Sequence, residues 1–96
     1  MRARFLPPAE WEMSQAARYY EHRVQNLGFD FLSEINRAVQ SIEEQPEAAP
    51  IIKGLIRRRI IRRFPYAILY QIDQMEIVIL AVMHQHRDPD YWHDRK

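Results

Sequence analysis

Apolar residues in the first half of the chain form one short alternating segment and then follow helical spacing. The segment RARFL alternates in part and is stopped by a proline pair, which predicts a first strand at the edge or beginning of a sheet. From about residue 8 to 27, apolar side chains recur every three to four residues, which predicts a first helix. Gly28 is expected to cap its C-terminus. Of the aromatic residues at this spacing, Trp11 and Tyr20 are expected in the core.

A second helical stripe begins almost at once and ends before Pro46. Asp30 is its expected N-cap, and its apolar positions are Phe31, Leu32, Ile35, Val39 and Ile42. Two helices joined by so short a break form an antiparallel pair. The apolar face of such a pair needs another layer to cover it.

Strand patterns occupy the second half of the chain. The loop QPEAAPIIKG separates the two regions, and three runs rich in β-branched and aromatic residues follow it: Leu55 to Phe64, Tyr66 to Ile72 and Glu76 to Met83. DQME is a short hairpin connection between the last two runs. The last run is apolar on both faces, which predicts a central strand.

The order of these elements predicts the fold class. A strand, two helices and three strands form an α+β domain, with an antiparallel helical hairpin on one face of a mainly antiparallel sheet. Residues 1–96 are expected to form a single domain, because this length supports one hydrophobic core. The stretch DPDYWHDR is expected to add a short C-terminal helix, capped by Asp88 with Pro89 at its first position and anchored by Tyr91 and Trp92.

Composition excludes several classes of protein. The chain has no cysteine, so disulfides and thiolate metal sites are impossible. Its apolar runs are too short for a membrane span and its N-terminus lacks the apolar region of a signal peptide, so we expect a cytoplasmic protein. His84 and His86 form a His-x-His pair without a third ligand at fixed spacing, so we expect no metal and no other cofactor.

Charge is distributed unevenly, although the net charge is only +1. Residues 1–50 carry a net charge of −3 and residues 51–96 a net charge of +4. Twelve of the fourteen basic residues are arginine, and five of these lie between Arg57 and Arg63. A planar guanidinium binds phosphate and carboxylate groups through two hydrogen bonds, so this run is a candidate contact with an anionic partner.

The phrases RRFPYAILYQID and EIVILAVMHQHRDPDYW resemble the core signature of the RelE/ParE superfamily of toxins from bacterial type II toxin-antitoxin systems. The preceding AEWEMSQAARYYEHRVQNLGFDFLSEINRAVQSIEEQPEAAP resembles the helical hairpin of the family, so the resemblance covers nearly the whole chain. It implies a growth-inhibiting toxin that a cognate antitoxin wraps with an extended or helical segment and neutralises. Some members cleave messenger RNA on the ribosome as metal-independent ribonucleases, and ParE-like members poison DNA gyrase.

Ala67 favours gyrase as the target. Ribonuclease members usually carry an arginine directly after the tyrosine that begins the strand matching YAILYQI, where it contacts the scissile phosphate, and this chain has Ala67 there. We therefore expect a ParE-like gyrase poison. The alternative is a ribosome-dependent messenger RNA endoribonuclease, and the further alternative is a non-toxic binding module. If the chain is an enzyme, the resemblance implies an endoribonuclease.

Residues after the last strand form the candidate site. His84, Arg87 and Tyr91 are candidate catalytic residues, because metal-free RNA cleavage needs groups that exchange protons and stabilise the charge of a phosphorane. His86 is a candidate contact with the target or with the antitoxin.

Strand alternation predicts a solvent-facing basic strip on one face of the arginine run: Arg57, Arg59, Ile61 and Arg63. The strip either contacts nucleic acid or an acidic antitoxin segment, or it is a solvated sheet face that pairs with nearby acids: Glu43, Glu44 and Glu47. Arg58 and Arg62 share the other face with core residues. One of them is therefore a candidate ion-pair partner of an acid on the helices.

Overall fold

The computed structural model describes residues 1–87 and 90–95, in the order strand, two helices, four strands and a short 3₁₀ turn. The helices are α1 (Pro7–Arg23) and α2 (Leu27–Glu44). The strands are β1 (Arg2–Phe5), β2 (Ile51–Lys53), β3 (Ile56–Ile60), β4 (Tyr66–Asp73) and β5 (Glu76–His84), and the 3₁₀ turn is His93–Arg95. The predicted α+β class is confirmed, and β2 is an additional short strand. The predicted cap at Asp88 and Pro89 lies outside the described residues.

The strands form one sheet in the order β1-β5-β4-β3-β2. β1 pairs in parallel with β5, and the other neighbouring strands are antiparallel. β1 is thus an edge strand, as its proline stop predicted. β5 lies between two other strands, which agrees with its apolar residues on both faces.

The helices cover one face of the sheet and enclose the main core. α1 faces the sheet with small side chains, which let the helix lie close to β5: Ala9, Ala16 and Ala17. α2 contributes larger ones that are almost fully buried: Phe31, Ile35 and Ile42. Burial of a large apolar side chain stabilises the fold by about 1.5–3 kcal/mol, so each of these three side chains contributes substantially to the stability.

The connection between α1 and α2 differs from the predicted one. The residue in the left-handed conformation is Asn26, with φ of 71°, and not Gly28. A carboxylate oxygen of Glu21 accepts the N–H of Asn26 at 2.8 Å, and its other oxygen accepts that of Gly28 at 2.9 Å. A side chain of α1 therefore satisfies free amides in the first turn of α2. The predictions of Gly28 as a C-cap and Asp30 as an N-cap were wrong.

A smaller apolar cluster lies on the open face of the sheet, which is the face without helices. Its strand residues are Ile56, Leu69, Leu80, Ala81 and Met83. Trp92 from the C-terminal segment packs on this cluster and is 4% exposed. The predicted anchoring of the C-terminal segment on the sheet by Trp92 is confirmed.

Candidate functional site between α1 and β5

A cleft of about 240 Å³ opens between α1 and the C-terminal end of β5. We call it the α1–β5 cleft. Its main lining residues are Trp11, Gln15, Tyr19, Tyr66, His84, Arg87 and Tyr91. It brings together the three residues that the sequence singled out as catalytic candidates.

The α1 wall of the cleft consists of residues four positions apart, Trp11, Gln15 and Tyr19. Trp11 is 63% exposed and Tyr19 is 53% exposed. The prediction of Trp11 in the core was wrong, because α1 turns its small residues toward the sheet and its tryptophan toward the cleft. Tyr20 packs against the core, as predicted. Trp11 and Tyr19 lie eight positions apart, which is about two helical turns, and this spacing was the signal for a shared wall.

The sheet wall is formed by His84 at the end of β5 and Tyr66 opposite it on β4. Their ring centroids lie 5.1 Å apart in an edge-to-face arrangement. The backbone N–H of His86 donates to Nδ1 of His84 at 3.1 Å. Because Nδ1 accepts this bond, the neutral ring carries its proton on Nε2. His86 is exposed, with its ring 5.2 Å from that of His84.

Two arginines stack on the ring of Tyr91. Cζ of Arg87 lies 4.0 Å from the ring centroid and Cζ of Arg95 lies 4.8 Å from it. The Tyr91 hydroxyl is buried near the Glu12 carboxylate, without a hydrogen bond of acceptable geometry to any residue in 1–87 or 90–95. Burial, and then the Glu12 carboxylate, raises the pKa of the Tyr91 phenol. The phenol therefore stays protonated at neutral pH.

The floor of the cleft is a buried ion pair. Arg95 donates to the two carboxylate oxygens of Glu12 at 2.8 and 2.9 Å, and the side chains are 17% and 8% exposed, respectively. Glu12 also accepts the N–H of Val82, and Arg95 donates to the carbonyl of Leu80, both at 3.0 Å. β1 pairs with β5 only as far as Ile79. The two side chains therefore take the place of a strand partner at Leu80 and Val82.

We did not predict this pair from the sequence. Arg58 or Arg62 was the expected partner of a helix acid, but both are exposed and the buried pair uses Arg95. The sequence feature that could have predicted the pair is the position of Glu12. Glu12 lies on the same helical stripe as the buried Ala9 and Ala16, where a carboxylate needs a partner.

Arg57 and Arg59 do not form a solvent-facing strip. They pair across β3 and β4 with Tyr70 and Ile68, whose side chains belong to the core under the helices. Both arginines are half-buried on the helical face. That part of the prediction was wrong, because the strand turns its odd-numbered residues toward the helices.

Two arginines of the predicted strip are engaged within the protein. Nη1 of Arg57 donates to the carbonyls of Glu47 at 2.9 Å and Ala49 at 2.7 Å. Arg63 lies beyond β3 with φ of 71° and forms an ion pair with Asp30 at 3.3 Å. The arginine run therefore points in several directions. The α1–β5 cleft contains none of the three arginines of the predicted strip.

The groups in the α1–β5 cleft are suited to binding. The Glu12 carboxylate is already paired, the Tyr91 phenol is protonated and Nδ1 of His84 accepts a backbone bond. Exposed tryptophan, tyrosine and arginine are the residues that contribute most binding energy at protein interfaces. In the described part of the chain, no group of three or more His, Asp and Glu side chains is placed to hold a metal ion. None of its helices is long and apolar enough to cross a membrane.

Comparisons with known proteins identify similar chains. A family model described as the ParE toxin of the type II toxin-antitoxin system parDE matches residues 3–89. A solved structure of the chromosomal ParDE toxin-antitoxin system from P. aeruginosa contains a chain with the same fold, with a TM-score of 0.78 and 15% identity. The match covers 88% of this chain and 95% of that chain. No curated protein matches the sequence significantly.

Proposed function

We propose that the chain, which belongs to the ParE toxin family of type II toxin-antitoxin systems, arrests growth by poisoning DNA gyrase in the cytoplasm. As a member of this family, the chain is the toxin component of such a system, and its partner is an antitoxin protein.

The surroundings of Ala67 are the observation that supports gyrase as the target. Ala67 is fully buried in β4, and its cross-strand neighbours are Ile60 on β3 and Met83 on β5. Ribonucleases of the superfamily usually place a phosphate-binding arginine at this position. Here the position lies in an apolar part of the open face, where a guanidinium would lose water without gaining a partner. This supports a toxin that binds its target rather than one that cleaves RNA.

The α1–β5 cleft is the proposed contact with gyrase. Trp11, Tyr19 and Arg87 are exposed around it, and the Glu12–Arg95 pair holds its floor in place. His84, Arg87 and Tyr91 then act as binding residues rather than as catalysts. His86 lies at its rim and extends the same surface.

Controlled expression in cells tests the choice of target. The toxin is expressed alone or with its antitoxin, and DNA-damage induction and transcript ends are measured together. We expect growth arrest with DNA damage and intact transcripts, relieved by the antitoxin. Codon-phased transcript cuts on translating ribosomes would instead establish the ribonuclease mechanism. Unchanged growth would indicate a non-toxic binding module.

A further inference from the structure

A second cleft, of about 230 Å³, lies between α2 and the end of β3. We call it the α2–β3 cleft. Its polar lining residues are Glu34, Arg37, Ser41, Arg59 and Arg62. It shares no lining residue with the α1–β5 cleft.

The charges in the α2–β3 cleft are not balanced. Among the described residues that line it, Glu34 is the only acid, and its side chain is 9% exposed. The nearest arginine is Arg37, at 3.9 Å. Within residues 1–87 and 90–95, no hydrogen bond or ion pair joins Arg59 or Arg62 to a carboxylate. Three guanidinium groups therefore face one carboxylate.

Arg59 gives the strongest reason to expect an anion in this cleft. It is half-buried beneath the helical layer, where water solvates the guanidinium less well. A partly buried charge without a partner costs free energy, and an anion that enters the cleft removes this cost. Ser41 adds a hydroxyl that can donate to the same anion.

We infer that the α2–β3 cleft binds an aspartate or glutamate side chain of the antitoxin. The inference rests on the family of the chain, which supplies the antitoxin as a partner, and not on gyrase as the target. Arg59 and Arg62 would hold the carboxylate, with Arg37 at the rim. A charge-assisted hydrogen bond of this kind is about twice as strong as a neutral one.

The arrangement of the other arginines favours a peptide over nucleic acid. A duplex presents a row of phosphates and needs several cations on one continuous surface. In this chain Arg58 is exposed on the open face, whereas Arg57 and Arg63 bind groups of the protein itself. The guanidinium groups of Arg59 and Arg62, which no carboxylate of the described residues pairs with, remain beside a local recess of about 230 Å³ rather than along a continuous surface.

Two charge-reversal variants, one in the cleft and one outside it, test the inference. Arg62→Glu changes the cleft, and Arg58→Glu makes the same change at an exposed position on the open face. Antitoxin affinity is measured by calorimetry with the full-length toxin and the full-length antitoxin. We expect Arg62→Glu to weaken binding by about tenfold or more and Arg58→Glu to change it by less than about twofold.

Arg59→Gln provides a second variant that introduces no negative charge beside Glu34. We expect it to weaken antitoxin binding as well, with a shallower dependence of affinity on salt. Expressed without antitoxin, both cleft variants should still arrest growth, and coexpressed antitoxin should rescue them less well than the wild type. Circular dichroism and thermal unfolding verify the fold of each variant.

Two results would overturn the inference. In the first, a folded Arg62→Glu toxin binds the antitoxin as tightly as Arg58→Glu does. In the second, it keeps full antitoxin affinity but loses its effect on gyrase, which would assign the cleft to the target. A wild-type toxin without effect on gyrase would contradict the proposed function alone, since the antitoxin titration does not depend on gyrase.

Discussion

Glu12 and Arg95 lie 83 positions apart in the chain and form a two-point ion pair at 2.8 and 2.9 Å. The pair fixes the C-terminal segment to the first helix. Arg95 also stacks on the ring of Tyr91, on which Arg87 stacks as well. The shape of the α1–β5 cleft therefore depends on a contact between the two ends of the chain.

The first prediction concerns this pair. Glu12→Ala leaves the Arg95 guanidinium and the Val82 amide without their partner, so we expect the free energy of unfolding to fall by about 3–5 kcal/mol. Urea unfolding measures this loss. Arg4→Ala is the control, because it removes an exposed pair with Glu76 and should cost less than about 1 kcal/mol. Equal losses in the two variants would show that the buried pair has no special structural role.

The second prediction concerns alkaline pH. Burial raises the pKa of Tyr91 above the usual 10.0, so the unfolded chain releases this proton first. The stability from the protonated phenol is fully present below pH 10.0 and is lost as the pH rises above it. Tyr91→Phe should make this loss less steep. At neutral pH it should leave stability unchanged or slightly higher, because it removes a buried hydroxyl that has no hydrogen bond to the described residues. Unfolding curves on both sides of pH 10.0 measure both effects, and an unchanged slope would contradict the assignment.

The third prediction concerns the two glycines. A Cβ on Gly28 would lie 2.6 Å from the carbonyl oxygen of Ala17, so Gly28→Ala must push the two helices apart. We expect a loss of about 1–3 kcal/mol in chemical denaturation. Gly54 has φ of 56° and open space around it, so Gly54→Ala adds only backbone strain of about 1–2 kcal/mol. Only Gly28→Ala should also change the near-UV circular dichroism signal of the aromatic core, because only this variant separates the helices. Identical spectra for the two variants would show that the hairpin absorbs the methyl group without moving.

The fourth prediction concerns the residues after β5. His84→Ala and Arg87→Ala should each relieve growth arrest while leaving the fold and antitoxin affinity intact, because they line the α1–β5 cleft and not the α2–β3 cleft. Growth curves, circular dichroism and antitoxin titration check the three properties. A variant that loses toxicity only because it unfolds would show a structural role instead.

Much of the fold follows from local patterns in the sequence. The apolar alternation of β4 and β5, the helical stripe of α2 and the proline stops are visible along the chain, and they predicted the order of elements. The turn between the helices could not be predicted from local patterns, because Glu21 caps α2 from the preceding helix. A glycine near a helix end suggested a cap, whereas Gly28 is required by the close approach of two helices.

The candidate site was only partly predictable. His84, Arg87 and Tyr91 lie close together in sequence and line one cleft, as their spacing suggested. The opposite wall comes from α1, and strand or helix periodicity does not tell which face meets the sheet. Trp11 was therefore assigned to the core, and Arg57 and Arg59 to the solvent. Contacts between distant parts of the chain decided all of these positions.

Inhibition of purified gyrase by the toxin tests the central claim most directly. Supercoiling is measured with wild-type toxin, with Trp11→Ala and with the control Phe29→Ala, which removes an aromatic of similar exposure from outside the cleft. We expect wild type and Phe29→Ala to inhibit supercoiling equally and Trp11→Ala to need at least about tenfold more protein, as for a residue that dominates an interface. Undiminished inhibition by Trp11→Ala, or no inhibition by folded wild-type toxin, would contradict the account.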